Sequence, residues 1–205
     1  PELAVDVSAV RMAAPNIAAG DLFGSSMANM LVLALIDLWP SQRRLLRSVA
    51  LDHSLAACFA IVLGAIAALA VLLRPTYDVF GLSLASVLLV VVYLAGIRVI
   101  YRQTEQRGET PPAGHARAAL SLRGALARLA LSAVAILASA PWFAFAAKEL
   151  AELSGLTSTF VGTFLVGMST SAPELVSSLA AVRIGAFDLA VGNLFGSNAF
   201  NMIIF

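Results

Sequence analysis

Carboxylate and amide side chains occupy matched places in two copies of one sequence motif. The copy that opens the chain reads PELAVDVSAVRMAAPNIAAGDLFGSSMANM, and the copy near its end reads PELVSSLAAVRIGAFDLAVGNLFGSNAFNM. Glu2 and Glu174 each follow a proline, whereas Asp21 and Asn193 each stand between a glycine and Leu-Phe-Gly-Ser. Three carboxylates and one amide are hard oxygen donors, of which Ca²⁺ gathers about six to eight. These four residues therefore predict a cation site.

The two copies align without a gap at an offset of 172 residues. Fifteen of the 30 pairs that match 1–30 with 173–202 are identical. Chance similarity between helices rich in Ala and Leu would explain matched Ala and Leu, but not matched Pro, Glu, Gly, Ser and Asn in register. We therefore interpret the two segments as an internal repeat.

The composition is that of an integral membrane protein. Hydrophobic residues make up 60% of the chain and charged residues 12%, whereas soluble domains are about half apolar and about a quarter charged. Apolar stretches run over about 18–38, 54–73, 79–100, 124–147, 156–182 and 186–205, after the second half of a span at 1–12. The alternation typical of a membrane barrel is absent. We expect an all-α, polytopic membrane helix bundle surrounded by lipid, and the net charge of +1 indicates no nucleic-acid partner.

Counting spans predicts that the two copies cross the membrane in opposite directions. Five steps separate the span that holds Glu2 from the span that holds Glu174, and an odd number of steps reverses direction. This is an inverted-topology repeat, which in many secondary transporters places the substrate site near the midplane between the repeats. We divide the chain into a first repeat over 1–101, a connecting loop over 102–123 and a second repeat over 124–205. Since the chain begins inside the motif and stops inside a span, we expect a fragment in which both repeats are truncated.

The basic residues predict the orientation of the chain. Ten of the 13 Lys and Arg residues fall on one side, in or beside the connections 39–53 and 102–123 and at Arg183. The positive-inside rule makes that side, and both loops, cytoplasmic.

Further polar residues recur at helical spacing. On the helix that contains each Gly-x-Leu-Phe-Gly-Ser motif, residues at i, i+4 and i+8 form one polar stripe that suits an ion pathway. The stripes are Asp21, Ser25 and Asn29 in the first copy, and Asn193, Ser197 and Asn201 in the second.

Proline and glycine add two expectations about the backbone. Pro173 cannot donate to the carbonyl of Ser169, so freed carbonyls and nearby hydroxyls can turn toward an ion. The hydroxyls are those of Ser169, Thr170 and Ser171. Irregular backbone at this depth is tolerated where it lines a cavity. The Gly-xxx-Gly pairs at 20/24 and 192/196 predict helix contacts at backbone distance, which would bring Asp21 and Asn193 near the glutamates.

Asp6 departs from the repeat, because its partner is Ser178. It lies one helical turn beyond Glu2 on the same face. An extra ligand, a proton site and a group that points into a water-filled vestibule remain alternatives at this position.

The motifs resemble those of the sodium/calcium exchangers within the calcium/cation antiporter superfamily. TSAPELVSSLAA followed by AVGNLFGSNAFNM resembles the second α-repeat of that family, and PELAVDVSAV followed by AAGDLFGSSMANM resembles the first. The resemblance implies a ten-helix fold of two inverted groups of five, which this chain would enter midway through the second helix and leave within the eighth. It implies central cation ligands at Glu2, Asp21, Glu174 and Asn193, and accessory ligands at Ser25, Ser197, Thr170 and Ser171. The polar stripes, the break at Pro173 and the extra acid add further candidates from the residues themselves: Asp6, Ser169, Asn29 and Asn201.

The function that follows from the resemblance is secondary active cation antiport rather than catalysis, with Na⁺/Ca²⁺ exchange by alternating access and no resident cofactor. Coupling to H⁺ or K⁺ stays open, as does a cation channel built on the same repeat, and the oligomeric state is undetermined. The connecting loop is too short for the regulatory calcium-binding domains of animal exchangers, which favours a prokaryotic inner (plasma) membrane protein.

An intramembrane aspartyl protease is the rival from another class, since it also places carboxylates in apolar helices. That family needs a Tyr-Asp pair and a Gly-x-Gly-Asp motif. Here Asp21 follows Ala-Ala-Gly, and Tyr77-Asp78 stands at a span end. The duplicated Pro-Glu would also have no explanation.

Overall fold

The chain folds as a bundle of membrane-length helices. The computed structural model describes residues 1–38, 45–73, 78–79, 82–107 and 121–204. The helices are α1 (Glu2–Arg11), α2 (Pro15–Asp37), α3 (Leu45–Leu73), α4 (Leu84–Arg107), α5 (Leu122–Ser154), α6 (Ser158–Phe160), α7 (Gly167–Thr170), α8 (Ala172–Arg183) and α9 (Phe187–Ile204). Within the described residues, five stretches are long and apolar enough to cross a membrane: Pro15–Asp37, His53–Leu73, Leu84–Arg102, Leu122–Ser154 and Ser158–Arg183. The all-α polytopic membrane fold predicted from the sequence is confirmed.

Each copy of the motif folds as a helical hairpin with the same turn. Ala13 between α1 and α2 has a positive φ of 57°, and its repeat partner Gly185 between α8 and α9 has a φ of 76°. The next amide bonds to the carbonyl five residues back at 2.9 Å in both copies, Ala14 to Ala9 and Ala186 to Ala181. A left-handed residue with this long backbone bond is a common way to end a helix. The sequence repeat is therefore also a structural repeat.

The first hairpin packs against a broken helix that precedes the second. We call Ser158–Thr170 the α6–α7 segment; it includes a π-helical stretch at Val161–Val166. Along α2, Gly20 lies against Thr159 and Gly162, and Gly24 lies against Thr163. These contacts advance in the same direction on both segments, so α2 runs parallel to the α6–α7 segment.

Helix α9 crosses α2 in the opposite direction. Val32, Leu33 and Ile36 near the end of α2 pack with Val191 and Leu194 near the start of α9. Because α8 continues the direction of the α6–α7 segment and α1 opposes α2, α1 also opposes α8. The predicted inverted topology of the two copies is confirmed.

Two further apolar clusters and one hydrogen bond attach α3, α4 and α5 to the rest of the bundle. Alanines on one face of α5 pack with α1, α2 and the π-helical stretch. Leu63 of α3 and Leu89 of α4 pack with Met202 of α9. The ammonium group of Lys148 on α5 donates to the carbonyl of Met12 at 3.1 Å, which ties α5 to the first hairpin turn.

Several predicted boundaries are wrong. Helix α3 already begins at Leu45, inside the predicted loop 39–53, and α4 continues to Arg107, inside the predicted loop 102–123. Backbone hydrogen bonding carries a helix past the apolar core, and Arg, Gln and Glu are good helix formers. A short antiparallel pair of strands, Asp78–Val79 with Leu82–Ser83, lies where the sequence predicted the start of the span 79–100. Residues 39–44 and 108–120 of the two loops lie outside the described residues.

The glycine prediction holds in one repeat only. A Cβ added at Gly20 would lie 2.8 Å from the carbonyl oxygen of Thr159, and one at Gly24 would lie closer still to that of Thr163. In contrast, nothing within the described residues lies within 4 Å of a Cβ at Gly196, and at Gly192 the nearest atom belongs to the His53 ring at 3.5 Å. Among the described residues, no element packs on α9 at these glycines as the α6–α7 segment packs on α2.

The matched glycines give a direct test of this packing. We expect Gly24→Ala to lower the free energy of unfolding by about 1–3 kcal/mol, because the new methyl group meets backbone that cannot rotate away. The repeat-equivalent Gly196→Ala is the control, because its Cβ meets no described residue within 4 Å and alanine favours a helix by up to about 1 kcal/mol. Thermal unfolding in detergent measures both, and equal stabilities of the two variants would contradict the proposed contact.

Candidate cation site

Asp21 lies at the centre of the interface between α2 and the α6–α7 segment. Its side chain is fully buried. The Thr170 hydroxyl donates to Asp21 Oδ1 at 2.7 Å, and the Ser25 hydroxyl lies 3.2 Å from the same oxygen. A buried carboxylate is tolerated only when it is hydrogen-bonded or paired. Residues from both repeats therefore hold Asp21 in place.

The break before Pro173 aims the hydroxyls of this segment. Helix α7 ends at Thr170, and α8 begins at Ala172 with the proline in its first turn. Ser171 lies at the break and donates to the carbonyl of Ser25 at 3.4 Å. Ser169 turns the other way; it is exposed and bonds to the carbonyl of Leu165 on its own helix. Two of the three predicted hydroxyls thus face α2.

Three acidic groups of the first hairpin are buried. Glu2 and Asp6 lie one helical turn apart on α1, and Asp21 lies on α2. Glu2 and Asp6 are buried, with 4% and 3% of their surfaces exposed.

The second hairpin holds its polar groups differently. Ser197 donates to Glu174 Oε1 at 3.3 Å, and Glu174 is half-buried. The amide nitrogen of Asn193 lies 3.0 Å from the hydroxyl of Ser177 and 3.1 Å from that of Ser178, both on α8.

Each of the four acidic residues named above as a candidate ligand keeps at least one buried oxygen without a protein partner. These atoms are Glu2 Oε1, both carboxylate oxygens of Asp6, Asp21 Oδ2 and Glu174 Oε2. In the part of the chain that the structure describes, no three Asp, Glu, His or Cys side chains lie close enough to hold a metal ion by themselves. A cation here would need hydroxyl, carbonyl or water oxygens as well. The shared set of Glu2, Asp21, Glu174 and Asn193 stays a prediction.

An asparagine pair links α2 to α9, two helical turns beyond Asp21 on α2. Asn29 Nδ2 donates to Asn198 Oδ1 at 2.8 Å, and Asn198 Nδ2 lies 3.4 Å from the carbonyl of Ser26. Sequence reasoning missed Asn198, because its repeat partner is Ser26 and it falls outside the symmetric stripes. A third amide on α9, in addition to Asn193 and Asn201, was the available signal. The predicted stripe residues Asn29 and Asn201 are both buried, and each keeps one polar atom unpartnered.

Comparison with known proteins places these features in one family. The family described as "Sodium/calcium exchanger protein" matches residues 1–101 and 124–205. The sodium/calcium exchanger MaX1 of Methanosarcina acetivorans is 42% identical over 76 residues, which cover 37% of this chain and 22% of the relative. The inner membrane protein YrbG of Escherichia coli is 40% identical over 58 residues, which cover 28% and 18%.

A third relative matches nearly the whole chain at lower identity. The uncharacterized membrane protein MJ0091 of Methanocaldococcus jannaschii is 26% identical over 205 residues, or 97% of this chain and 61% of the relative. The chain thus spans less than two thirds of the length of each of these relatives. No solved structure matches it.

The hydrogen bond between Thr170 and Asp21 can be tested without any transport assay. We expect Thr170→Val to lower the free energy of unfolding by about 1.5–3 kcal/mol in Ca²⁺-free detergent, because it removes a donor to a buried carboxylate while keeping the shape. Ser169→Ala is the control, since that hydroxyl bonds only within its own helix. Equal thermal stability of Thr170→Val and the wild type would show that this bond does not hold Asp21.

Proposed function

Since this chain belongs to the sodium/calcium exchanger protein family, we propose that it is a secondary active cation antiporter of a membrane. The observation that carries the proposal is the bond from Thr170 of the second repeat to Asp21 of the first, at 2.7 Å. A site built by two inverted repeats changes its access when one repeat moves against the other. The ionisable groups that line such a site inside a membrane are functional groups by default.

The proposed exchange is Ca²⁺ against Na⁺ by alternating access. Carboxylate, hydroxyl and amide oxygens suit both hard cations. Glu2, Asp21 and Glu174 together carry about three negative charges when ionised, enough for one Ca²⁺ or several Na⁺ ions. Competition for the same oxygens then provides the coupling, because one ion set must leave before the other binds. MaX1, which carries the name of a sodium/calcium exchanger, supports this choice of ions.

The proposed location is a prokaryotic inner membrane, with the connections 39–53 and 102–123 in the cytoplasm. The excess of Lys and Arg on that side supports this orientation. The similarity to an inner membrane protein of Escherichia coli supports the location.

Uptake of ⁴⁵Ca²⁺ by vesicles that contain the protein tests the proposal and its alternatives. We expect uptake to require an outward Na⁺ gradient. Uptake driven instead by a pH or K⁺ gradient would identify H⁺ or K⁺, rather than Na⁺, as the coupling ion. Uptake down the Ca²⁺ gradient with no counter-ion would contradict antiport and indicate a channel.

The paired glutamates should be indispensable for transport. We expect Glu2→Gln and Glu174→Gln each to reduce gradient-driven Ca²⁺ flux by about a hundredfold or more, because each removes a charged ligand at a matched position. Membrane insertion should persist, since neutralising an intramembrane acid makes insertion easier. Asp188→Asn is the matched control, because the Asp188 side chain is 72% exposed. Full flux in either glutamine variant would remove that glutamate from the site.

Asp21 and Asn193 should be partly interchangeable if both repeats face one cation. We expect Asp21→Asn to weaken Ca²⁺ transport sharply, because it leaves only two of the three predicted carboxylate ligands. Adding Asn193→Asp restores the number of acids and should recover part of the flux. A double variant that transports no better than Asp21→Asn would show that the two positions are not equivalent.

A further inference from the structure

The Asn193 side chain is held through its nitrogen rather than its oxygen. Asn193 Nδ2 lies 3.0 Å from the hydroxyl of Ser177 and 3.1 Å from that of Ser178, both on α8. Both hydrogen bonds that the described residues make with this side chain therefore use its nitrogen. An amide has two donor hydrogens on nitrogen and two lone pairs on oxygen. The two hydroxyls can take up both hydrogens and leave the oxygen available.

The carbonyls beside the two hydroxyls decide which way the amide turns. Each hydroxyl has one hydrogen to donate. Ser177 donates its hydrogen to the carbonyl of Glu174 at 3.1 Å. Ser178, which is fully buried, donates to the carbonyl of Ala190 at 3.5 Å. Because both hydrogens are used in this way, both hydroxyls face Asn193 as acceptors. A flipped amide would bring its oxygen against two acceptors, so the nitrogen stays toward α8.

The hydroxyl pair is absent from the first repeat, where an acid replaces the amide. Val5 and Asp6 stand at the two serine positions, and Asp21 stands where the second repeat has Asn193. Both oxygens of a carboxylate can bind a cation, so a carboxylate offers an oxygen whichever way it turns. An amide offers its oxygen in only one of its two orientations. The serines therefore occur in the repeat whose side chain has to be oriented.

We propose that Ser177 and Ser178 are positioning residues that hold the Asn193 amide with its oxygen free to bind the transported cation. Ca²⁺ binds asparagine through the carbonyl oxygen, so the orientation of the amide decides whether Asn193 is a ligand. The serines act through the amide, because they fix the binding orientation before the ion arrives and so lower the cost of ordering the side chain. The role of Asn193 as a ligand rests on the proposed function.

Equilibrium binding of ⁴⁵Ca²⁺ to the purified protein in detergent, without any gradient, tests the positioning role. We expect the double variant Ser177→Ala/Ser178→Ala to weaken Ca²⁺ binding by about threefold to tenfold, because the ion must then also order a free side chain. Ser8→Ala is the matched control and should bind Ca²⁺ as the wild type does. The Ser8 hydroxyl bonds to the carbonyl of Ala4 on its own helix at 2.7 Å, and its repeat partner is Ala180.

The same serine changes in an Asn193→Asp background separate positioning from a merely structural role. The carboxylate introduced there needs no orientation, and serine hydroxyls would donate to it in competition with a cation. We therefore expect Ser177→Ala/Ser178→Ala to leave the Ca²⁺ affinity of the Asn193→Asp protein unchanged within about twofold, or to raise it. A loss of affinity that occurs only with the amide present is the signature of coupling through Asn193.

The exposed serine keeps the test decisive if the buried position does not tolerate alanine. Ser178 is fully buried, whereas Ser177 is exposed. If the double variant does not fold, Ser177→Ala alone takes its place in both backgrounds. It should weaken Ca²⁺ binding by about twofold or more with the amide present, and not in the Asn193→Asp background. Ser177→Thr keeps the hydroxyl and should bind Ca²⁺ as the wild type does.

The outcomes separate the positioning role from the proposed function. Equal weakening of Ca²⁺ binding in both backgrounds would overturn the positioning role, because the serines would then act on the fold or on the ion directly. Unchanged Ca²⁺ affinity in the serine variants with the amide present, together with intact Na⁺-driven exchange, would also overturn it and leave antiport standing. Amide-dependent weakening in a protein that shows no Na⁺-driven exchange would contradict antiport and support the positioning role.

Discussion

The approach of α2 to the α6–α7 segment at backbone distance is the contact on which the candidate site depends. Glycines stand on both sides of it, Gly20 and Gly24 on α2, and Gly162 and Gly167 opposite. A Cβ at Gly167 would lie 2.7 Å from the amide nitrogen of Ser25. Since the hydroxyl of Thr170 is short, it reaches Asp21 only because these backbones touch. The glycines therefore fix the site geometry without contributing a single ligand atom.

The two copies of the motif have the same local fold but different surroundings. Both hairpins keep the left-handed residue at their turn, and both place the glutamate in the first turn of a helix. The first hairpin is covered by the α6–α7 segment, and Asp21 is fully buried; in the second, Asn193 remains half-buried. Local structure thus follows the repeated sequence, whereas burial and partners follow whatever packs on it.

This distinction also decides what could be predicted from the sequence. The hairpins, their inversion and the break at Pro173 were predictable, because proline, apolar length and span parity act locally or by counting. The bond from Asn29 to Asn198 was not, because it depends on which helix lies opposite. Helix ends were misplaced for a related reason. Hydropathy reports where lipid ends, and α4 continues beyond it through residues that form helices well in water.

The polar groups of the bundle divide into two classes, and the division follows chemistry rather than position. Hydroxyls and the Asn198 amide find protein partners and so hold the helices together. Every acid of the cluster keeps at least one buried oxygen unpartnered. Donors that satisfied those oxygens would lower the cost of burying them, but would also compete with any cation. The proposed carrier function needs carboxylates that are held in place through one oxygen while another stays available, and Asp21 has this arrangement.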